Sequence, residues 1–100
     1  MVRLAVIGAE LFLHLNSGRA GPSGFATWRS HLISRAAELQ RFVASANAAA
    51  PDQHCPSLIV GPGGDVIVEL TPGEPAMARA ELDLQMVSDH YLEQRRTDLV

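Results

Sequence analysis

Apolar positions in the middle of the chain follow the period of an α-helix. After Thr27 they recur at spacings of three and four residues, and they are Trp28, Leu32, Ile33, Ala36, Ala37 and Leu39. This pattern predicts an amphipathic helix over residues 26–41, with Thr27 as its N-cap. A shorter helical segment is predicted for residues 2–9, where Gly8 would end it.

Short apolar runs bounded by turn-forming residues predict β-strands elsewhere. Residues 11–15 and residues 42–47 are such runs. Further β-rich runs lie on either side of a Gly-Pro-Gly-Gly-Asp sequence at residues 61–65, which predicts a β-hairpin. Residues 77–82 alternate between apolar and polar and predict a half-exposed strand, after which Asp83 would cap a short helix. The order of these elements predicts an α/β fold with a mixed sheet and a C-terminal β-hairpin.

Composition narrows the class of protein. The chain has 100 residues, 47% hydrophobic and 19% charged, so we expect one globular domain at most. A net charge of −3 argues against binding to nucleic acid or an anionic membrane, and no run approaches the roughly 20 apolar residues that span a bilayer. One cysteine cannot form an internal disulfide, and Glu10 and His14 interrupt the apolar run of a possible signal peptide. We therefore expect a cytoplasmic protein.

Few motifs indicate chemistry by themselves. The glycine-rich residues 61–65 precede a predicted strand and lack the Lys-Ser/Thr pair of a phosphate-binding loop, which favours a hairpin turn. Ser23 lacks the Gly-x-Ser-x-Gly spacing of a nucleophile elbow. No His or Cys residues have the spacing of a zinc site, so neither a metal nor a cofactor is predicted. His54 cannot easily turn onto its neighbour Cys55, so Cys55 is expected to be a loop or edge-buried thiol.

Several segments, in one order, resemble sequence motifs of the nitrilase superfamily of carbon–nitrogen hydrolases. They are Arg-Leu-Ala-Val-Ile-Gly-Ala-Glu-Leu-Phe-Leu at 3–13, Trp28 with Ser-Arg-Ala-Ala-Glu at 34–38, Phe-Val-Ala-Ser-Ala-Asn at 42–47, Ser-Leu-Ile-Val-Gly-Pro-Gly-Gly-Asp-Val-Ile at 57–67, Ala-Glu-Leu-Asp-Leu at 80–84, and the tail with His90-Tyr91 and Arg-Thr-Asp-Leu at 96–99. Leu39 replaces the family's usual Asn, and Thr97 stands where Pro is common. The resemblance covers essentially residues 1–100 and implies the C-terminal portion of a hydrolase domain, a partial α-β-β-α sandwich.

The resemblance also implies what this chain lacks. The family uses a Cys nucleophile, a Glu general base and a Lys that stabilises the tetrahedral intermediate. All three would come from before the segment that matches Arg3, and the chain contains no lysine. Cys55 lies in the loop before the hairpin instead of at the nucleophile position. No catalytic residue is therefore assigned, and the chain is expected to be a truncated hydrolase that is inactive alone.

The resemblance places part of a substrate pocket on this chain. Asn16 and Ser17 follow the strand where the family builds its pocket, and Asn47 ends the neighbouring strand. These residues are candidate pocket residues, and the alternative is the ordinary polarity of turns and strand ends. A small amide or nitrile substrate would bind only if the site were completed.

Three kinds of function stay open. The chain could be an inactive hydrolase segment, one half of a split hydrolase completed by a partner chain, or a non-enzymatic interaction module. An open α/β fragment exposes apolar faces and strand edges, which favours association. The expected partner is therefore a second copy, forming a homo-oligomer, or a complementing chain.

Overall fold

The computed structural model describes residues 2–16, 24–50 and 52–90. Its elements in chain order are α1 (Val2–Val6), β1 (Leu11–Asn16), α2 (Phe25–Leu39), β2 (Phe42–Asn47), β3 (Leu58–Val60), β4 (Val66–Glu69) and a short 3-10 helix (Leu84–Met86). Gly8 follows α1 with a positive φ of 104°, a conformation that glycine adopts without strain, and this agrees with the predicted end of the first helix. The α/β class predicted from the sequence is confirmed.

The strands form a mixed sheet in the order β1-β2-β3-β4. β1 and β2 are parallel, so that Leu11 lies opposite Phe42, and the intervening α2 makes the crossover that a parallel pair requires. β3 and β4 are added antiparallel, with a register irregularity at Ile59 and Val60. The predicted mixed sheet and C-terminal hairpin are therefore confirmed.

One face of the sheet packs against the helices. Successive side chains of a strand point to opposite faces, which gives the sheet one buried row and one exposed row. The buried core consists of Ala5, Phe12, Leu32, Ala36, Leu39, Val43, Leu58 and Val60. The helical members lie at the spacing from which α2 was predicted, so the amphipathic pattern identified the buried side of the helix.

The opposite face of the sheet is largely bare. We call it the open sheet face and define it by Leu13, Leu15, Ala44, Ala46, Ile59 and Val68. Leu13 is 73% exposed and Leu15 is 83% exposed, although both belong to a strand whose other side is buried. The fold therefore has one covered layer and one uncovered layer of apolar side chains.

A buried arginine connects the ends of the structure. Arg41 is only 2% exposed. It donates hydrogen bonds to the carbonyl oxygens of Ala5, Ala9, Leu39, Gln40 and Ser88, and to the carboxylate of Asp89. Because these partners belong to α1, the end of α2 and the segment after the 3-10 helix, Arg41 joins three separate parts of the chain.

A surface ion pair attaches the hairpin to α2. Arg29 donates to both carboxylate oxygens of Glu69, with its Nη2 lying 2.8 Å from Oε1. The hydrogen bond that Arg29 donates to the Glu69 carboxylate raises the pKa of Arg29, although partial burial opposes this effect. Arg29 therefore stays charged throughout the alkaline range in which proteins are handled.

Two local predictions are wrong. Thr27 does not cap α2, because the helix begins at Phe25 and Gly24 is its N-cap, with its carbonyl accepting from Trp28 N. Residues 77–82 form no strand in the described structure, and Met77 is 89% exposed. A strand needs a neighbouring backbone to satisfy its N–H and C=O groups, and β4 pairs only with β3 among the described residues. Asp83 does cap the short helix, accepting from Gln85 N.

Candidate functional site

Two of the three candidate pocket residues lie at the carboxyl ends of β1 and β2. Asn16 and Asn47 are the last residues of these parallel strands and lie opposite each other in the register. Ligands of open α/β sheets commonly bind at the carboxyl ends of strands. Ser17, the third candidate, lies outside the described residues. The backbone therefore brings two of the three predicted residues side by side, on neighbouring strands.

A pair of polar side chains lies two residues before the carboxyl ends of these strands. His14 and Ser45 face each other across β1 and β2, and His14 Nδ1 lies 3.2 Å from Ser45 Oγ. Ser45 is 4% exposed, so the imidazole satisfies a hydroxyl that is otherwise withdrawn from water. The sequence analysis missed this pair, although the two polar residues, each two positions before a strand-end Asn, were a visible signal.

Asn47 is held by the loop that follows β2. Its backbone N–H donates to Ser57 Oγ at 2.8 Å, and its side-chain Oδ1 accepts from Gln53 Nε2 at 3.2 Å. Gln53 Oε1 in turn accepts from the backbone N–H of Cys55 at 2.9 Å. Gln53 is 3% exposed, so this loop glutamine is a buried structural link. No sequence motif marks Gln53, which explains why the sequence analysis missed it.

A partly polar cleft of about 190 Å³ adjoins this network. The strand end and its loop form one wall, and residues 70–76 form the other. Asn47, Ser57, Thr71 and the acidic Glu74 contribute the hydrogen-bonding side chains of the lining. A cleft of this composition can hold a small polar molecule, but it contains no lysine and no activated nucleophile.

Cys55 lines the same cleft without the features of a nucleophile. It is free and only 2% exposed. A catalytic thiol needs a base oriented against it, and the adjacent His54 side chain is exposed. The prediction that Cys55 is a buried loop thiol is confirmed.

A second cleft, of about 220 Å³, lies on the open sheet face. Leu13, Leu15, Ile59, Val68 and Ala78 supply much of its lining. It has no charged side chain among its lining residues, so it is suited to packing against apolar surface.

Two other kinds of site are absent from the described parts of the chain. Within those residues, no three His, Cys, Asp or Glu side chains come close enough together to hold a metal ion. None of the helices in the described ranges is both long and apolar enough to cross a bilayer.

The sequence profile of the family described as carbon–nitrogen hydrolase matches residues 1–90. This chain therefore belongs to the carbon–nitrogen hydrolase family. A comparison with curated proteins finds no significant match.

Solved structures of the nitrilase superfamily share this fold. The NitFhit protein of C. elegans is 30% identical, with a TM-score of 0.75, and the match covers 99% of this chain and 26% of that one. An amidase from Nesterenkonia sp. AN1 is 30% identical with a TM-score of 0.74, covering 99% and 37%. Nit3 of Saccharomyces cerevisiae, at 22% identity and a TM-score of 0.64, covers 74% and 29% and shows the fold alone. The chain thus spans well under half the length of the structures that it matches.

Proposed function

We propose that this chain forms one wall of the substrate site of a carbon–nitrogen hydrolase that acts on non-peptide C–N bonds. It would work only when Cys, Glu and Lys are supplied by other residues, in the manner of a split enzyme, and the 100 residues alone would be inactive. The observation that supports this proposal most is a combination of three features. The family match covers residues 1–90, the sequence has no lysine, and the thiol of Cys55 is free and buried.

The open sheet face supports completion by further polypeptide. Leu13 and Leu15 are mostly exposed, and the neighbouring cleft is lined almost entirely by apolar atoms. Burying apolar surface contributes about 25 cal/mol per Å² removed from water, so such a face favours a protein partner. We infer that the complementing part of the hydrolase covers this face. A homo-oligomer would cover the same face without providing the missing catalytic groups.

The substrate class is proposed from chemistry and from the relatives. In the Nesterenkonia amidase, the acetamide moiety of fluoroacetamide adds covalently to the active-site cysteine. The hydrogen-bonding groups at the end of β2 suit a small molecule of that kind, and Asn16, Ser17 and Asn47 are the proposed pocket residues. We infer that the substrate is a small amide or nitrile and that the protein acts in the cytoplasm, where its single free thiol would stay reduced.

The experiment begins with the DNA upstream of the codon for Met1. A polypeptide encoded there or nearby that carries the Cys, Glu and Lys motifs is co-expressed with this chain, and ammonia release from acetamide is measured. The chain alone should release none, whereas the pair should release ammonia. Turnover by the purified chain alone would contradict the proposal, as would a stable pair without turnover.

A matched pair of variants tests the role of the open sheet face. Leu15→Glu places a charge on that face and should prevent formation of the pair. Leu4→Glu is the control, because Leu4 is an exposed leucine as well, at 50%, but belongs to α1, next to the core residue Ala5 on the covered side. Light scattering would report association in each case. Association of the chain with itself, together with no hydrolysis in any combination, would favour the interaction module instead.

A further inference from the structure

The hydrogen bonds around Gln53 determine which way the Asn47 carboxamide faces. The backbone nitrogen of Cys55 can only donate, so the Gln53 atom that it meets must be the oxygen Oε1. Nε2 of Gln53 then faces Asn47, and because an amide nitrogen can only donate, the Asn47 atom opposite must be Oδ1. The backbone N–H of Cys55 therefore fixes the orientation of the Gln53 side-chain amide and, through it, the orientation of the Asn47 amide.

This orientation leaves a donor without a partner. Nδ2 of Asn47 is shielded from solvent and has no hydrogen-bond partner among the described residues. A buried donor without a partner is unfavourable, so its persistence calls for an explanation. Asn47 lies at the carboxyl end of β2 and on the wall of the polar cleft, which is where a ligand of this sheet would be expected.

We propose that Gln53 is a positioning residue that holds Asn47 as a hydrogen-bond donor, and that Nδ2 of Asn47 donates to the acceptor oxygen of a small amide substrate. This inference rests on the proposed hydrolase function and adds a specific contact to it. A donor that does not compete with bulk water binds an acceptor more strongly than an exposed donor does. Gln53 itself does not touch the substrate and acts only through Asn47.

Two substitutions remove the donor by different routes. In Gln53→Glu, the carboxylate still accepts from Cys55 N but can no longer donate to Asn47, so the Asn47 amide should rotate and donate its Nδ2 protons to residue 53. In Asn47→Asp, the contact with Gln53 Nε2 is kept and the donor disappears. Gln85→Glu is the matched control, because Gln85 is exposed in the 3-10 helix and its side chain has no role in the network.

The first readout uses the 15N-labelled chain and does not depend on catalysis. We expect one Asn47 side-chain proton to move downfield in Gln53→Glu, because it gains a carboxylate acceptor, and to stay in place in Gln85→Glu. Titration of the labelled chain with acetamide, after it has been completed by the co-expressed polypeptide, should shift the Asn47 side-chain signals of the parent protein. In Gln53→Glu these signals should not respond. Unchanged Asn47 signals in Gln53→Glu, or no response of the parent to acetamide, would overturn the proposal.

The second readout is the KM for acetamide in the co-expressed hydrolase. Asn47→Asp and Gln53→Glu should each raise KM about tenfold while kcat changes by less than about threefold, because a contact made equally in the ground and transition states is lost. An unchanged KM in Asn47→Asp would overturn the inference and leave the hydrolase function standing. A response of the Asn47 signals to acetamide without any turnover would support the Asn47 contact and contradict the proposed hydrolase function. If Gln53→Glu does not fold, Asn47→Asp alone decides.

Discussion

Arg41 offers a direct test of how the chain holds itself together. The substitution Arg41→Met keeps the unbranched side chain and its apolar stem but removes every hydrogen-bond donor of the guanidinium. Arg41 is almost fully buried, and most of its partners are backbone carbonyl oxygens. The substitution would therefore remove the hydrogen bonds that Arg41 donates to the carbonyl oxygens of Ala5, Ala9 and Leu39, of which Ala5 O would keep only its bond from Gly8 N.

The expected loss of unfolding free energy in Arg41→Met follows from the kind of hydrogen bond that is removed. Removing the donor of a buried hydrogen-bond acceptor commonly destabilises a protein by about 1–3 kcal/mol, and Arg41 donates to several backbone carbonyl groups. The Asp89 side chain is 61% exposed and can be solvated again, so the carbonyl groups carry most of this loss. A domain of this size is stable by only about 5–15 kcal/mol, so the variant should lose a large part of its stability.

The assay is urea unfolding followed by circular dichroism, with Arg35→Met as the control. Arg35 forms an exposed pair with Glu38, with exposed fractions of 41% and 65%, and pairs of this kind contribute about 0.5 kcal/mol or less. We expect a large loss of unfolding free energy for Arg41→Met and almost none for the control. An unfolded Arg41→Met beside a folded control also meets the expectation. Equal losses in the two variants would refute the reasoning.

Other substitutions test separate parts of the structure. Gly64→Ala should destabilise the chain by about 1–2 kcal/mol in urea unfolding, since Gly64 has a positive φ of 84°, whereas Gly63→Ala in the same turn should be nearly neutral. Cys55→Ser should leave the activity of the completed hydrolase intact, and loss of turnover would mean that the thiol has a chemical role. Arg29→Gln should reduce stability by at most about 1 kcal/mol, with a smaller effect at high salt, because its ion pair is about one-third exposed.

The elements with a strong local pattern could be predicted from the sequence. α2 was found from its apolar spacing, and the β3–β4 hairpin from its glycine-rich turn, because both depend on residues that are close along the chain. The prediction of a strand at residues 77–82 is wrong because strand formation there does not depend only on residues that are close along the chain. Alternation indicates that a segment could form a strand, but a strand exists only where another backbone pairs with it.

The candidate site was predictable only in part. Asn16 and Asn47 were assigned to one pocket by the family resemblance, and the parallel pairing of β1 with β2 in the structure puts them side by side. Gln53 could not be found in this way. Its role depends on the path of the loop between β2 and β3, which places a side chain in contact with both Asn47 and Cys55. No periodic pattern describes a contact of that kind.

The two faces of the sheet separate thermodynamic stability from solubility. Residues such as Val43 on the helix side determine how much free energy is needed to unfold the chain, because they are fully buried. Leu13 and Leu15 contribute little to that quantity, and because they are exposed apolar side chains we expect them to limit how concentrated a solution of the protein can become before it precipitates. Polar substitutions at these two leucines should therefore raise the concentration at which the protein stays in solution without lowering its unfolding temperature. Expression yield would then be a poor measure of how well this chain is folded.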